Sequence, residues 1–205
     1  ETILLTVLIL LFYIRAIRKN NLYLYGVTGL LVGLSMHLHT GARVLPIILG
    51  VDMLVRLSRL RQRNFKQKVI NASVLIFCAL TTFAPMGRYI YKNIDSYMHR
   101  SKETLIATEY PIGFLAKPYL KNIRYYLEMY VIRGDWHPRH NYNRMPQLAT
   151  AASVLFVMGL FLSFRLIRRH PVHRLLFLSF SLVSLQGIMT VHLNSANLNR
   201  VAENI

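Results

Sequence analysis

The chain reads as all-α, a polytopic bundle of transmembrane helices. Three observations predict this. Of its 205 residues, 54% are hydrophobic and 16% charged, and mean hydropathy is +0.34, too apolar for a soluble domain of this length. The apolar residues come in blocks of spanning character. The Lys and Arg residues behind the net charge of +17 cluster at the ends of those blocks, the pattern of a membrane protein oriented by its loops. A nucleic-acid binder would instead carry a basic face on a polar domain, so no nucleic-acid partner is expected.

Six apolar blocks follow in order. The first is Thr2–Ile14, short for a crossing of about 20 residues. The second is Leu22–Leu38. The third, Val44–Val55, borrows length to residue 57 from its basic end, where Arg56 and Arg59 can snorkel. The fourth is Val69–Tyr91, the fifth Leu148–Leu166 and the sixth Leu175–Leu193. Backbone groups in hydrocarbon need partners within their own segment, so each block predicts a helix. The whole, residues 1–205, reads as part of one transmembrane domain, and its first and last residues suggest a piece of a longer protein. The lone Cys78, inside the fourth block, excludes an internal disulfide.

Basic residues fix an orientation. Arg15, Arg18 and Lys19 follow the first block. Arg56, Arg59, Arg61, Arg63, Lys66 and Lys68 follow the third, and Arg165, Arg168, Arg169 and Arg174 the fifth. These alternate connections belong on one side, the cytoplasm by the positive-inside rule. The other side then holds His37–Arg43, the long loop Lys92–Gln147 and the stretch from Asn194. Within that loop, Ile112–Leu120 and Ile123–Val131 predict short amphipathic helices at the membrane interface.

The polar groups that could do chemistry fall mostly on that outer side. His37 and His39 are two residues apart and diverge on a helix, a weak metal signal. Arg43, at a membrane boundary before Pro46, either snorkels to lipid phosphates or binds a buried anion. Asp52 pairs with Arg56 one helical turn on. Arg100 opens the external segment, and Asn194, Asn197 and Arg200 follow the last block. The densest polar stretch is Gly134-Asp135-Trp136-His137-Pro138-Arg139-His140-Asn141. Arg139 and His140 can offer several donors to a phosphate, the Arg as a two-pronged fork. Asp135 orients Arg139 or caps the turn. No Gly-rich phosphate loop, serine-hydrolase elbow or His-Glu-x-x-His motif occurs.

Several of these residues resemble one family. Gly29-Leu30-Leu31-Val32-Gly33-Leu34 and Thr40-Gly41-Ala42-Arg43-Val44-Leu45-Pro46 look like a helix–turn–Arg–x–x–Pro element. Pro85, Asn93 and Arg100 fit a span leaving toward an external Arg. With them stand Gly134-Asp135, Pro138–Asn141, Pro146 and the short Asn197-Leu198-Asn199-Arg200 motif. Together they are similar to the GT-C membrane glycosyltransferases, the superfamily of protein mannosyltransferases and the lipid A aminoarabinose transferase. Its bacterial family 39-like members are the nearest resemblance. The last match departs from the family in lacking a nearby Pro, and the family's external acids are not in these residues, which leaves the catalytic base outside them.

The resemblance implies transfer of a sugar from a polyprenyl-phosphate donor to a lipid, glycan or protein acceptor, outside the bacterial plasma membrane and among membrane lipids. Arg43, Arg100, Arg139, His140 and Arg200 would be the phosphate-side or substrate-binding groups, supported by His39, Asp135, His137, Asn141 and Asn197. No cofactor is expected, with a divalent metal left open. The alternatives are a transporter or channel segment, and a non-catalytic membrane subunit.

Overall fold

The computed structural model describes residues 2–38, 43–58, 65–105, 107, 115–134 and 145–189. Among them the chain is all-α, with eight helices and no sheet. They are α1 (Thr2–Lys19), α2 (Leu22–Leu38), α3 (Leu45–Ser58), α4 (Phe65–Lys92), α5 (Ile94–Thr104), α6 (Ala116–Val131), α7 (Thr150–Leu166) and α8 (Pro171–Ile188). Two, α4 and α8, are both long and apolar enough to cross a membrane, while α2 and α7 are shorter apolar helices. The expectation of six spans is therefore met only in the coarser sense of an all-helical chain with two qualifying helices.

The helices do not keep the expected bounds. α1 runs on to Lys19 and α4 starts at Phe65, because basic residues are good helix formers and nothing breaks the helix there. α4 also passes through Pro85. In the segment expected to be external, α6 is one continuous helix where two were expected. No Gly or Pro separates Leu120 from Ile123, and Asn122 is buried. α5 was not anticipated.

The chain divides into two compact units. The first comprises residues 1–93 and 166–179. Two asparagines build its opening turn. Asn20 ends α1 with φ of 49°, a left-handed conformation that Asn tolerates. Asn21 starts α2, its side-chain Oδ1 accepting the amides of Tyr23 at 2.9 Å and Leu24 at 3.4 Å. α2 then returns antiparallel to α1 and packs mainly on α4.

Glycine sets the closeness of the α2–α4 contact. A Cβ on Gly29 would fall inside the Leu75 carbonyl oxygen and 2.9 Å from Cys78 Cβ. On Gly33 it would lie 2.5 Å from the Ala79 carbonyl oxygen and 2.7 Å from Thr82 Cβ. This is a Gly-x-x-x-Gly contact, in which missing side chains let backbones approach. The pairing order, Asn20 with Asn71, Gly29 with Leu75, Gly33 with Ala79 and His37 with Thr82, makes α2 and α4 parallel. His37 Nε2 lies 2.9 Å from the Thr82 carbonyl oxygen. α3 starts seven positions after α2 stops and runs back between them in sequence.

The second unit comprises residues 94–165 and 180–205. Tyr130 of α6, Phe156 of α7 and Phe180 of α8 form an aromatic cluster with ring centroids 5.2–5.9 Å apart. Asn122 Nδ2 donates to the Ile188 carbonyl oxygen at 2.9 Å, which satisfies an orphan acceptor at the end of α8.

Much of the apolar surface of α7 and α4 faces outward while some polar residues are buried. On α7 the buried positions are Ser153 and Ser163, whereas Leu155 is 69% exposed and Phe161 64%. On α4 Asn71 is buried and Phe77 is 70% exposed.

Candidate functional site

Of the ten site residues expected from sequence, two belong to the described residues. Arg43 is half-buried in the single helical turn just before α3. Arg100 lies on the backbone of α5. His39, Asp135, His137, Arg139, His140, Asn141, Asn197 and Arg200 lie outside the described residues. The stems of the dense polar motif are nonetheless placed. The amides of Gln147 and Leu148 donate to the carbonyls of Met129 and Tyr130, at 3.1 and 3.3 Å. Ser153 Oγ adds a 3.3 Å bond to the same Tyr130 carbonyl. Residues on both sides of the motif are thus tied together at the end of α6.

The polar centre that the described residues do assemble is elsewhere, at the end of the first unit where α1 and α3 finish and α2, α4 and α8 begin. Asp52 of α3 is fully buried. Its Oδ2 accepts the Tyr13 hydroxyl at 2.9 Å and Arg56 Nε at 2.6 Å. Its Oδ1 accepts Arg174 Nε from α8 at 2.5 Å. The pairing of Asp52 with Arg56, four residues on, is the one the sequence suggested. Arg174 was read only as an orientation marker, yet it is 7% exposed and reaches Asp52 across 122 positions. The signal that could have found it is physical: an acid inside an apolar helix needs a cation, and one i,i+4 arginine near a helix end covers only one carboxylate oxygen.

A second polar layer adjoins it. Asn71 of α4 is buried, donates to Asn20 Oδ1 at 2.8 Å and accepts from Gln67 Nε2 at 3.0 Å. The Tyr13 and Tyr25 rings meet edge to face at 6.3 Å. Buried polar groups are stabilising only when each is matched, and these networks match nearly all of theirs. The exception at this site is Arg56 Nη2, buried without a hydrogen-bond partner. Asp52 is also the sole acid among the described residues of this unit. One carboxylate facing two guanidiniums leaves the cluster with a net positive charge.

Chemically the cluster can clamp α1, α3 and α8 to one another and hold an anion. It offers no nucleophile paired with a base. Among the described residues no three His, Cys, Asp or Glu side chains gather as a metal site. Comparison with known families, curated proteins and solved structures finds nothing that matches this chain.

Proposed function

We propose that this chain is a membrane-embedded helical bundle of the GT-C kind, spanning the bilayer six times and transferring a sugar from a polyprenyl-phosphate donor at the extracytoplasmic face. The observation that carries the reading is helix direction. α1 and α3 end, and α2, α4 and α8 begin, at the end where Asp52 binds Tyr13 and Arg174. Arg15, Arg18, Lys19, Lys66, Lys68, Arg168 and Arg169 cluster in sequence about those helix ends, so the positive-inside rule makes that end cytoplasmic. Arg43, between α2 and α3, then belongs to the opposite face, where a lipid-linked phosphate would lie. The exposed Leu, Phe and Ile surfaces of α4 and α7 support lipid around the bundle, since a water-soluble protein rarely leaves so large an apolar surface uncovered.

In this reading Arg43, with Arg100, Arg139, His140 and Arg200, stabilises charge on the departing lipid phosphate. His39, Asp135, His137, Asn141 and Asn197 support them. The test is transfer of labelled sugar from a polyprenyl-phosphate donor by the full-length protein in membranes. Arg43→Gln abolishes transfer and Arg43→Lys does not restore it, because an ammonium lacks the guanidinium fork. Arg139→Gln and His140→Ala each lower turnover by about 100- to 1000-fold, the usual effect of losing one such donor, with little change in melting. Full activity in Arg43→Lys, or wild-type turnover in both loop variants, overturns the assignment.

One observation favours a second reading, a transporter. A buried Asp52 held by two arginines from different helices is the kind of intramembrane ion cluster transport proteins use. Substrate-dependent uptake by proteoliposomes that lack any donor lipid separates it from transfer.

A further inference from the structure

We propose that the Asp52–Arg56–Arg174 cluster is a phosphate-binding site, at the opposite end of the first unit from Arg43 and independent of sugar transfer. The charges do not balance. Asp52 carries one negative charge, while Arg56 and Arg174 carry two positive ones. Tyr13 donates to Asp52 and so adds no negative charge. No other acid is present among the described residues of the unit. A buried guanidinium left uncompensated is strongly destabilising in low dielectric.

The hydrogen bonds are incomplete in the same place. Both arginines spend Nε on Asp52, and Arg56 keeps Nη2 buried without an acceptor. Nη2 and Nε lie on the same edge of a guanidinium, so the open donor adjoins the one already engaged. The missing acceptor is therefore an anion, and one with more than one oxygen, so that it can meet a fork beside a carboxylate. The Arg56 side chain is 23% exposed and that of Arg174 9%, so the cluster borders the surface although Nη2 itself is buried. Arg15, Arg18 and Lys19 end α1, and Lys66 and Lys68 lie in the first turn of α4, on helix ends that meet this one. They raise the local positive potential. A phosphate meets these demands, from an anionic phospholipid headgroup or free in the cytoplasm.

The experiment titrates the purified protein, held in a neutral detergent, with inorganic phosphate, phosphatidylglycerol or phosphatidylcholine, and follows thermal unfolding and native mass spectra. Each titration is repeated in Arg43→Gln, which removes the phosphate donor proposed for the other face. The expected result is a saturable rise in melting temperature that survives Arg43→Gln. Phosphatidylglycerol giving it identifies a lipid headgroup, and inorganic phosphate alone identifies a free anion. Phosphatidylcholine gives none. Arg56→Lys keeps the pair with Asp52 but not the open fork, and weakens binding by tenfold or more. Asp52→Asn removes the competing carboxylate and tightens it. Where Asp52→Asn fails to fold, Arg56→Lys decides. Wild-type binding in Arg56→Lys, or no saturable shift with either phosphate source, overturns the inference and leaves the transfer reading untouched. Loss of binding in Arg43→Gln assigns the phosphate to the other face and also overturns it.

Discussion

Replacing Gly29 or Gly33 by alanine should loosen the first unit, and the same change at Gly50 or Gly159 should not. At Gly33 the new Cβ would sit 2.5 Å from the Ala79 carbonyl oxygen and 2.7 Å from Thr82 Cβ. At Gly29 it would press into the Leu75 carbonyl and lie 2.9 Å from Cys78 Cβ. The obstructing atoms are backbone or the base of a side chain, so no rotamer change relieves them. Ordinary contact requires α2 and α4 to part by roughly 1 Å. Overpacking of this kind costs about 1–3 kcal/mol. Alanine regains up to about 1 kcal/mol of helix propensity. With the full propensity gain the net loss is up to about 2 kcal/mol, or as much as roughly 8 °C in melting temperature for a chain of this size. Around Gly50 and Gly159 nothing lies within 4 Å, so only the propensity gain remains and both variants should melt at or above wild type. Thermal unfolding of the four variants in one detergent checks this. Equal melting of Gly33→Ala and Gly159→Ala would refute a tight α2–α4 seam.

Asp52→Ala should cost about 3–5 kcal/mol, because it strands the buried Arg174 guanidinium and the part-buried Arg56, whereas Arg124→Ala, which breaks the exposed pair with Glu128, should leave melting unchanged. Burial raises the Tyr126 and Tyr130 hydroxyls above their ordinary range, and Tyr130 adds to the effect on Tyr126. A raised folded value means that their stability is intact below about pH 10 and lost as pH climbs toward the folded values; alkaline melting curves of Tyr126→Phe and Tyr130→Phe should lose less over that window. Single cysteines introduced by Gln62→Cys and Lys121→Cys, with Cys78→Ala, should be labelled by an impermeant maleimide in intact cells only at position 121. The reverse pattern would invert the orientation and the site assignment with it.

Local sequence determined a good deal. Blocks of apolar residues dictate helices, because a backbone in an apolar setting must pair with itself. Asn20 and Asn21 dictate a turn through properties of their own side chains. The pair of Asp52 with Arg56 was legible because helical spacing alone brings positions four apart together. Tertiary structure decided the rest. Gly29 and Gly33 looked like one part of a family motif, and only the Leu75 and Ala79 carbonyls against them give a packing reason for glycine. α6 is continuous because Asn122, a residue that often interrupts helices, spends its amide on the end of α8 rather than on its own backbone. Arg174 joins Asp52 only because α3 and α8 meet at one end of the first unit. Periodicity and charge are written in each segment by itself. Which segments meet depends on how several helices share their buried faces, and no single segment carries that information.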